Sequence, residues 1–147
     1  MNIFIRHAQP QDFDFIFRFI SELEQEVFDV DLFRRVYEKN INNSDYAYYI
    51  AISDNSPVGC ISFHSQYLLH HCGKVGEIQE FYVEPENRNK GIGKLLMQEI
   101  FSWALKNNII NVEVTSNKMR IENAMIYEHL GFQMTHNKFT MKLNDEL

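Results

Sequence analysis

The chain has 147 residues, 45% of them hydrophobic and 14% aromatic, with a net charge of −6, which suits one soluble domain able to bury its own core. That balance, with no basic stripe, argues against a nucleic-acid partner, because such affinity rests on Lys and Arg neutralising phosphates. No apolar run reaches membrane-spanning length, and Arg6 and His7 come too early for a signal peptide, so the expectation is a cytoplasmic protein without a membrane partner; Cys60 and Cys72 are too few for a disulfide framework and read as reduced thiols.

From the N-terminus, Asn2 to Arg6 alternates like a strand, and Pro10 with Asp12 marks a helix start. Phe13, Ile16, Phe17, Ile20 and Leu23 recur at helical spacing and predict one buried stripe. A second helix is expected over about Leu32 to Ile41, followed by a strand from Tyr46 to Ile52. Asp54-Asn55-Ser56-Pro57 reads as a turn, Val58 to Leu69 as the next strand, and Cys72-Gly73-Lys74 as a turn into Val75 to Val83. After Gly91, the residues Ile92, Leu95, Leu96, Ile100, Trp103 and Ala104 fall on one face of a helix that Asn107-Asn108 ends. Ile110 to Thr115 is the next expected strand and Glu122 to Leu130 a helix, with Gly131 at its C′ position. Phe132 to Met134 and Lys138 to Leu143 are expected to be terminal strands. The whole predicts one α/β domain over residues 1–147, a mixed sheet with helices on both faces.

Arg88-Asn89-Lys90-Gly91-Ile92-Gly93-Lys94, between the strand ending near Val83 and the helix, has the chemistry of an anion site. Glycine lets backbone approach a ligand closely, and the first N–H groups of a helix point at it. It is not a P-loop, since Lys94 is followed by Leu95 rather than Ser or Thr; nor is it a dinucleotide fingerprint, since Leu96 stands where the third glycine belongs.

The run Arg88-x-x-Gly91-x-Gly93 after a strand resembles the acetyl-CoA loop of the GNAT superfamily of N-acetyltransferases. Two further stretches resemble that family in order: Ile3-Phe4-Ile5-Arg6 with Ala8, Gln9 and Asp12, and Asn123-Ala124 with Tyr127 and Gly131-Phe132. The resemblance covers nearly the whole chain. It implies a central, mostly antiparallel twisted sheet, acetyl-CoA as co-substrate, a small-molecule amine as partner, and a homodimer as a candidate assembly. It also implies that Arg88 to Lys94, with the backbone of Phe81, Tyr82 and Val83, contacts acetyl-CoA, that Asn117 and Asn123 contribute to the same site, and that Tyr127 returns a proton to the CoA sulfur.

Acetylating an amine requires a neutral nitrogen, yet an alkylamine is mostly protonated at neutral pH. Glu80 is the expected general base and Glu77 the runner-up. If both line one cavity, their repulsion raises one pKa. Solvent-facing strand residues are the plainer reading of each, and a helix-start polar residue that of Asn123. The family's strand at Glu80 carries a bulge that frees N–H groups for the oxyanion.

Phe28-Asp29, His64, Gln66, His70-His71 and Gly76 to Glu80 resemble the bacterial aminoalkylphosphonate N-acetyltransferases, which implies an amine bearing a phosphonate and a candidate divalent metal. His64, His70 and His71, with Glu77, are ligands of suitable type, and Arg34 or Arg35 could meet the phosphonate directly. Leu68 departs from that pattern, where a histidine is expected, as does the tip Cys72-Gly73-Lys74. Crowding of Glu22, Glu24, Glu26, Asp29 and Asp31 favours instead a polyamine, amino sugar or aminoglycoside. A non-catalytic acyl-CoA-binding module is the alternative of another class.

Overall fold

A computed structural model describes residues 2–117, 119 and 121–143, apart from the side chain of Ile121. The chain divides into two compact units, Met1–Val114 and Thr115–Leu147. In the first, β1 (Ile3–His7), α1 (Phe13–Glu24), α2 (Val30–Ile41), β2 (Tyr46–Ser53), β3 (Ser56–Leu68), β4 (Gly73–Val83), α3 (Ile92–Lys106) and β5 (Ile109–Val114) follow one another. The strands form a five-stranded sheet in the order β1-β2-β3-β4-β5. Pairing is antiparallel from β1 to β4 and parallel between β4 and β5. The parallel step requires a crossover, and α3 supplies it.

Helices cover both faces. Phe13, Ile16 and Phe19 of α1 and Tyr37 of α2 are buried with Ile50, Ile52, Cys60 and Tyr82 in one cluster. On the opposite face Phe63 meets Trp103 of α3 edge-on, ring centres 5.6 Å apart. The α1 stripe includes Phe19, fully buried beside Tyr82, which the sequence pattern does not single out. Asp29 caps α2 by accepting from Leu32 N–H at 3.0 Å. The turn between β2 and β3 is tighter than its composition suggests. Only Asp54 and Asn55 have positive φ, at 49° and 68°, and Ser56 and Pro57 already belong to β3.

The second unit holds α4 (Ile121–His129). Gly131, at φ 101°, ends it as expected, with Phe132 N–H returning to Tyr127 O at 3.0 Å. The terminal strands expected at 132–134 and 138–143 are not formed, and residues 132–143 carry no regular element. Phe139, Met141 and Leu143 alternate as a strand would, but each is exposed. An apolar alternation becomes a strand only with a partner to complete its hydrogen bonds, so the pattern alone overstated this segment.

Candidate active site

The register of β3 against β4 sets up the site. Ile61 lies opposite Phe81 and Phe63 opposite Ile78, so Ser62 alone faces the pair Gln79-Glu80. That is a β-bulge, and it re-aims the side chains around it. Phe63 and Ile78 belong to the α3 face, as does Phe81, whose ring lies beside Gly93. Glu80 is therefore turned to the α1–α2 face with Ser62 and Cys60, and Glu77, opposite His64, lies on that face too.

On this face a cavity of about 100 Å³ opens between α1, α2 and the sheet. Ile16, Ile20, Phe33 and Val36 give it an apolar wall, while Tyr37, Asn40, Tyr48, Cys60, Ile61, Ser62 and Glu80 complete the lining. Asn40 donates its amide to Tyr48 Oη at 2.7 Å. Ser62 Oγ donates to Glu80 Oε2 at 2.7 Å and accepts from Glu80 N–H at 2.9 Å.

Burial lifts the Glu80 carboxyl above its usual range, the Ser62 hydroxyl partly offsets this, and the nearby Glu24 carboxylate adds to the rise. The neighbouring charge responsible is thus Glu24 rather than Glu77. Burial also raises the Tyr48 hydroxyl to about 12 despite the Asn40 bond, with Glu80 contributing. An ammonium group entering this cavity would meet one carboxylate with an elevated proton affinity among aromatic walls, an arrangement suited to taking up a proton.

β5 ends at Val114, opposite Ile78, and β4 continues beyond it. Among the described residues the stretch Phe81–Val83 is paired with β3 on one side only. Arg88 folds back so that its Nε donates to Val83 O at 2.8 Å, which ties the loop to the strand end. Asn89 and Gly91 have φ of 63° and 82°, and Gly91 caps α3. Leu95 N–H bonds to Gly91 O, so the preceding N–H groups of Ile92, Gly93 and Lys94 have no intrahelical acceptors. Lys90 and Lys94 are exposed beside them. A Cβ at Gly93 would stand 3.1 Å from Phe81 Cζ, so a larger residue there requires that ring to give way slightly.

The other expected residues lie elsewhere. Phe28 packs near Phe33, Asp29 caps α2, and Arg34 stacks on the Phe13 ring at 3.8 Å, outside the cavity lining. His64 neighbours the Tyr46 ring, and Gln66 is exposed opposite Val75. His70 and His71 sit in the turn beyond Leu68 and Gly73, well up the hairpin from His64. The expected metal set is therefore not assembled. Among the described residues no three His, Cys, Asp or Glu side chains are grouped to hold a metal, and no step is built on one.

Asn117, Asn123 and Tyr127 belong to the second unit. Asn117 Oδ1 accepts from Met119 N–H at 2.9 Å, Asn123 lies in the first turn of α4, and Tyr127 is half-buried edge-on to Phe132. Ser62, Tyr48 and Asn40 escaped the sequence reading, and Glu24 entered it only as one of an acidic stretch. Ser62 shares its strand face with Cys60 and His64, but its pairing with Glu80 depends on a bulge that composition does not announce.

A mixed sheet whose β4 runs on past the end of β5, with a cavity holding a buried carboxyl on one face and a glycine-capped helix start following, suits an acyltransferase. Residues 13–132 match the Acetyltransferase (GNAT) family, and the chain belongs to it. It is 32% identical to the aminoalkylphosphonate N-acetyltransferase of Salmonella typhimurium, over 95% of this chain and 90% of the relative. The fold is similar to that of a transcriptional regulator from Bacillus halodurans C-125, with a TM-score of 0.88, 19% identity, and coverage of 97% of this chain and 100% of the other. It is also similar to AAC(6')-Iy in complex with a bisubstrate CoA analogue, with a TM-score of 0.85, 17% identity, and coverage of 98% and 99%. Among the described residues no helix is long and apolar enough to cross a membrane.

Proposed function

We propose that the chain transfers an acetyl group from acetyl-CoA directly to the primary amine of a small molecule, with Glu80 as general base. The observation carrying this reading is Glu80 itself, turned by the bulge into the cavity with a raised proton affinity. Glu80 takes a proton from the ammonium form, the nitrogen lone pair attacks the acetyl carbonyl carbon, and the carbonyl electrons form an oxyanion. Collapse of that intermediate breaks the C–S bond. The nitrogen gives up its second proton through water, and the departing thiolate takes one up, a task the family resemblance gives to Tyr127. Glu80 returns its own proton to solvent.

The one-sided pairing of Phe81–Val83 supports a role for this backbone in holding the acyl-pantetheine arm. The free N–H groups after Gly91, with Arg88, Lys90 and Lys94, support a pyrophosphate subsite. The family match runs across the boundary between the two units, which supports reading residues 1–147 as one domain.

An aminoalkylphosphonate is the first acceptor to try, on the strength of the Salmonella relative's name. A polyamine, amino sugar or aminoglycoside is a second reading with its own support, because no Lys or Arg lines the cavity among the described residues and Glu24 lies close to Glu80. A CoA-release assay decides: turnover of aminomethyl- or aminoethylphosphonate with none of spermidine supports the first, and the reverse pattern sinks it.

A further inference from the structure

A bulge leaves one residue of its strand without a ladder partner, and here a side chain fills the gap. Ser62 is buried, and its Oγ accepts from Glu80 N–H at 2.9 Å while donating to Glu80 Oε2 at 2.7 Å. A serine has a single hydroxyl proton, and here it is committed to Glu80. Oε1 of Glu80 makes no hydrogen bond among the described residues.

We propose that Ser62 is a positioning residue for acetyl transfer, its hydroxyl clamping the bulge and fixing the Glu80 carboxylate so that Oε1 receives the amine proton. The inference rests on the reading of Glu80 as base. When the proton moves from the ammonium nitrogen to Oε1, the Ser62 proton stays on Oγ. The bond to Oε2 then weakens from charge-assisted to neutral. The clamp therefore favours the ionised, proton-accepting form.

The groups around Glu80 leave this task to Ser62. Glu24 of α1 opposes ionisation, and Glu77 on β4 is a second carboxylate of the same face. Tyr37 of α2, Tyr48 of β2, Cys60 of β3 and Tyr82 of β4 are all pushed upward by burial and stay neutral near pH 7. Asn40 of α2 is engaged with Tyr48. No described cation lines the cavity to share the load.

Two measurements on the full chain test this. In protein carrying 13C-labelled glutamate carboxyls, with the Glu80 signal assigned from Glu80→Gln, Ser62→Ala and Ser62→Cys should move the Glu80 titration midpoint upward, and Ser62→Thr should restore it. With acetyl-CoA and whichever of aminoethylphosphonate or spermidine turns over, Ser62→Ala should lower kcat about tenfold at pH 7 while Ser62→Thr stays close to wild type. The acid limb of kcat should shift upward with the midpoint, and the acetyl-CoA KM should stay unchanged. Cysteine keeps the size of serine with a weak donor, so Ser62→Cys reads the proton if the alanine variant does not fold. An unmoved midpoint and limb in Ser62→Ala and Ser62→Cys overturns the proposal even when Glu80→Gln is inactive. An active Glu80→Gln instead overturns the assignment of the base.

Discussion

Glu80, the proposed base, owes its proton affinity to a carboxylate that is costly to keep charged. Burial raises its pKa, so the acid limb of kcat should lie above the usual carboxylate range, with activity appearing as pH rises through it. Glu80→Gln keeps the shape but loses the proton acceptor, and kcat should fall about 100-fold or more with acetyl-CoA binding, measured by calorimetry, unchanged. Asp12 shows the opposite sign. Burial alone would raise its carboxyl, but a two-armed bond from Arg6, at 2.7 and 2.9 Å, and Gln9 N–H hold it below the usual value. A carboxyl lowered on folding stabilises the folded state above its unfolded pKa and loses that contribution as pH falls through the folded one. Asp12→Asn should therefore cost roughly 2 kcal/mol near neutrality, a gap that closes in urea melts below about pH 4.

At the scale of elements, the glycines of β4 and α3 perform different tasks. A Cβ on Gly76 would stand 1.9 Å from Phe63 Cζ, and Phe63 is held against Trp103. Gly76→Ala should destabilise the fold by about 2 kcal/mol, read as a lower urea midpoint with an unchanged slope. Gly91 has nothing within 4 Å of a built Cβ but sits at φ 82°, so Gly91→Ala is limited by backbone strain at the helix cap and should raise the acetyl-CoA KM. The helices and the glycine-bearing loop before α3 were legible in the sequence because period, caps and glycines are local signals; Gly131 and the Phe13 stripe are examples. The bulge was expected only through the family resemblance, and Ser62 and the Asn40–Tyr48 bond not at all, because each depends on which residue of another strand or helix stands opposite. Asp29 shows a related limit: the residue was noticed, but its carboxylate serves the cap of α2.

For the whole molecule, charge is arranged rather than merely summed. A net −6 coexists with Arg88, Lys90 and Lys94 gathered at the start of α3, while Glu22 to Asp31 form an acidic stretch. On the proposed reading, an anionic co-substrate is drawn to one place on a protein whose net charge otherwise repels it. The acetyl-CoA KM should rise several-fold between about 20 and 500 mM salt, and Lys90→Ala should flatten that dependence. The sheet's centre, β3 and β4, joins both helical faces and the cavity, so its amides should exchange more slowly than those of the edge strands β1 and β5. The bulge at Gln79-Glu80 also makes the length of β4 as consequential as its composition. Strand side chains alternate by odd and even count, and one supernumerary residue resets that parity between Glu77 and Tyr82. Deleting Gln79 would shift the frame for every residue on one side of it at once. Either Glu80 and Tyr82 would leave the cavity face and Phe81 would leave Gly93, or Ile78 and Glu77 would exchange surroundings. Substitutions in this strand can be absorbed singly, whereas a change of one in its length would dismantle packing and chemistry together.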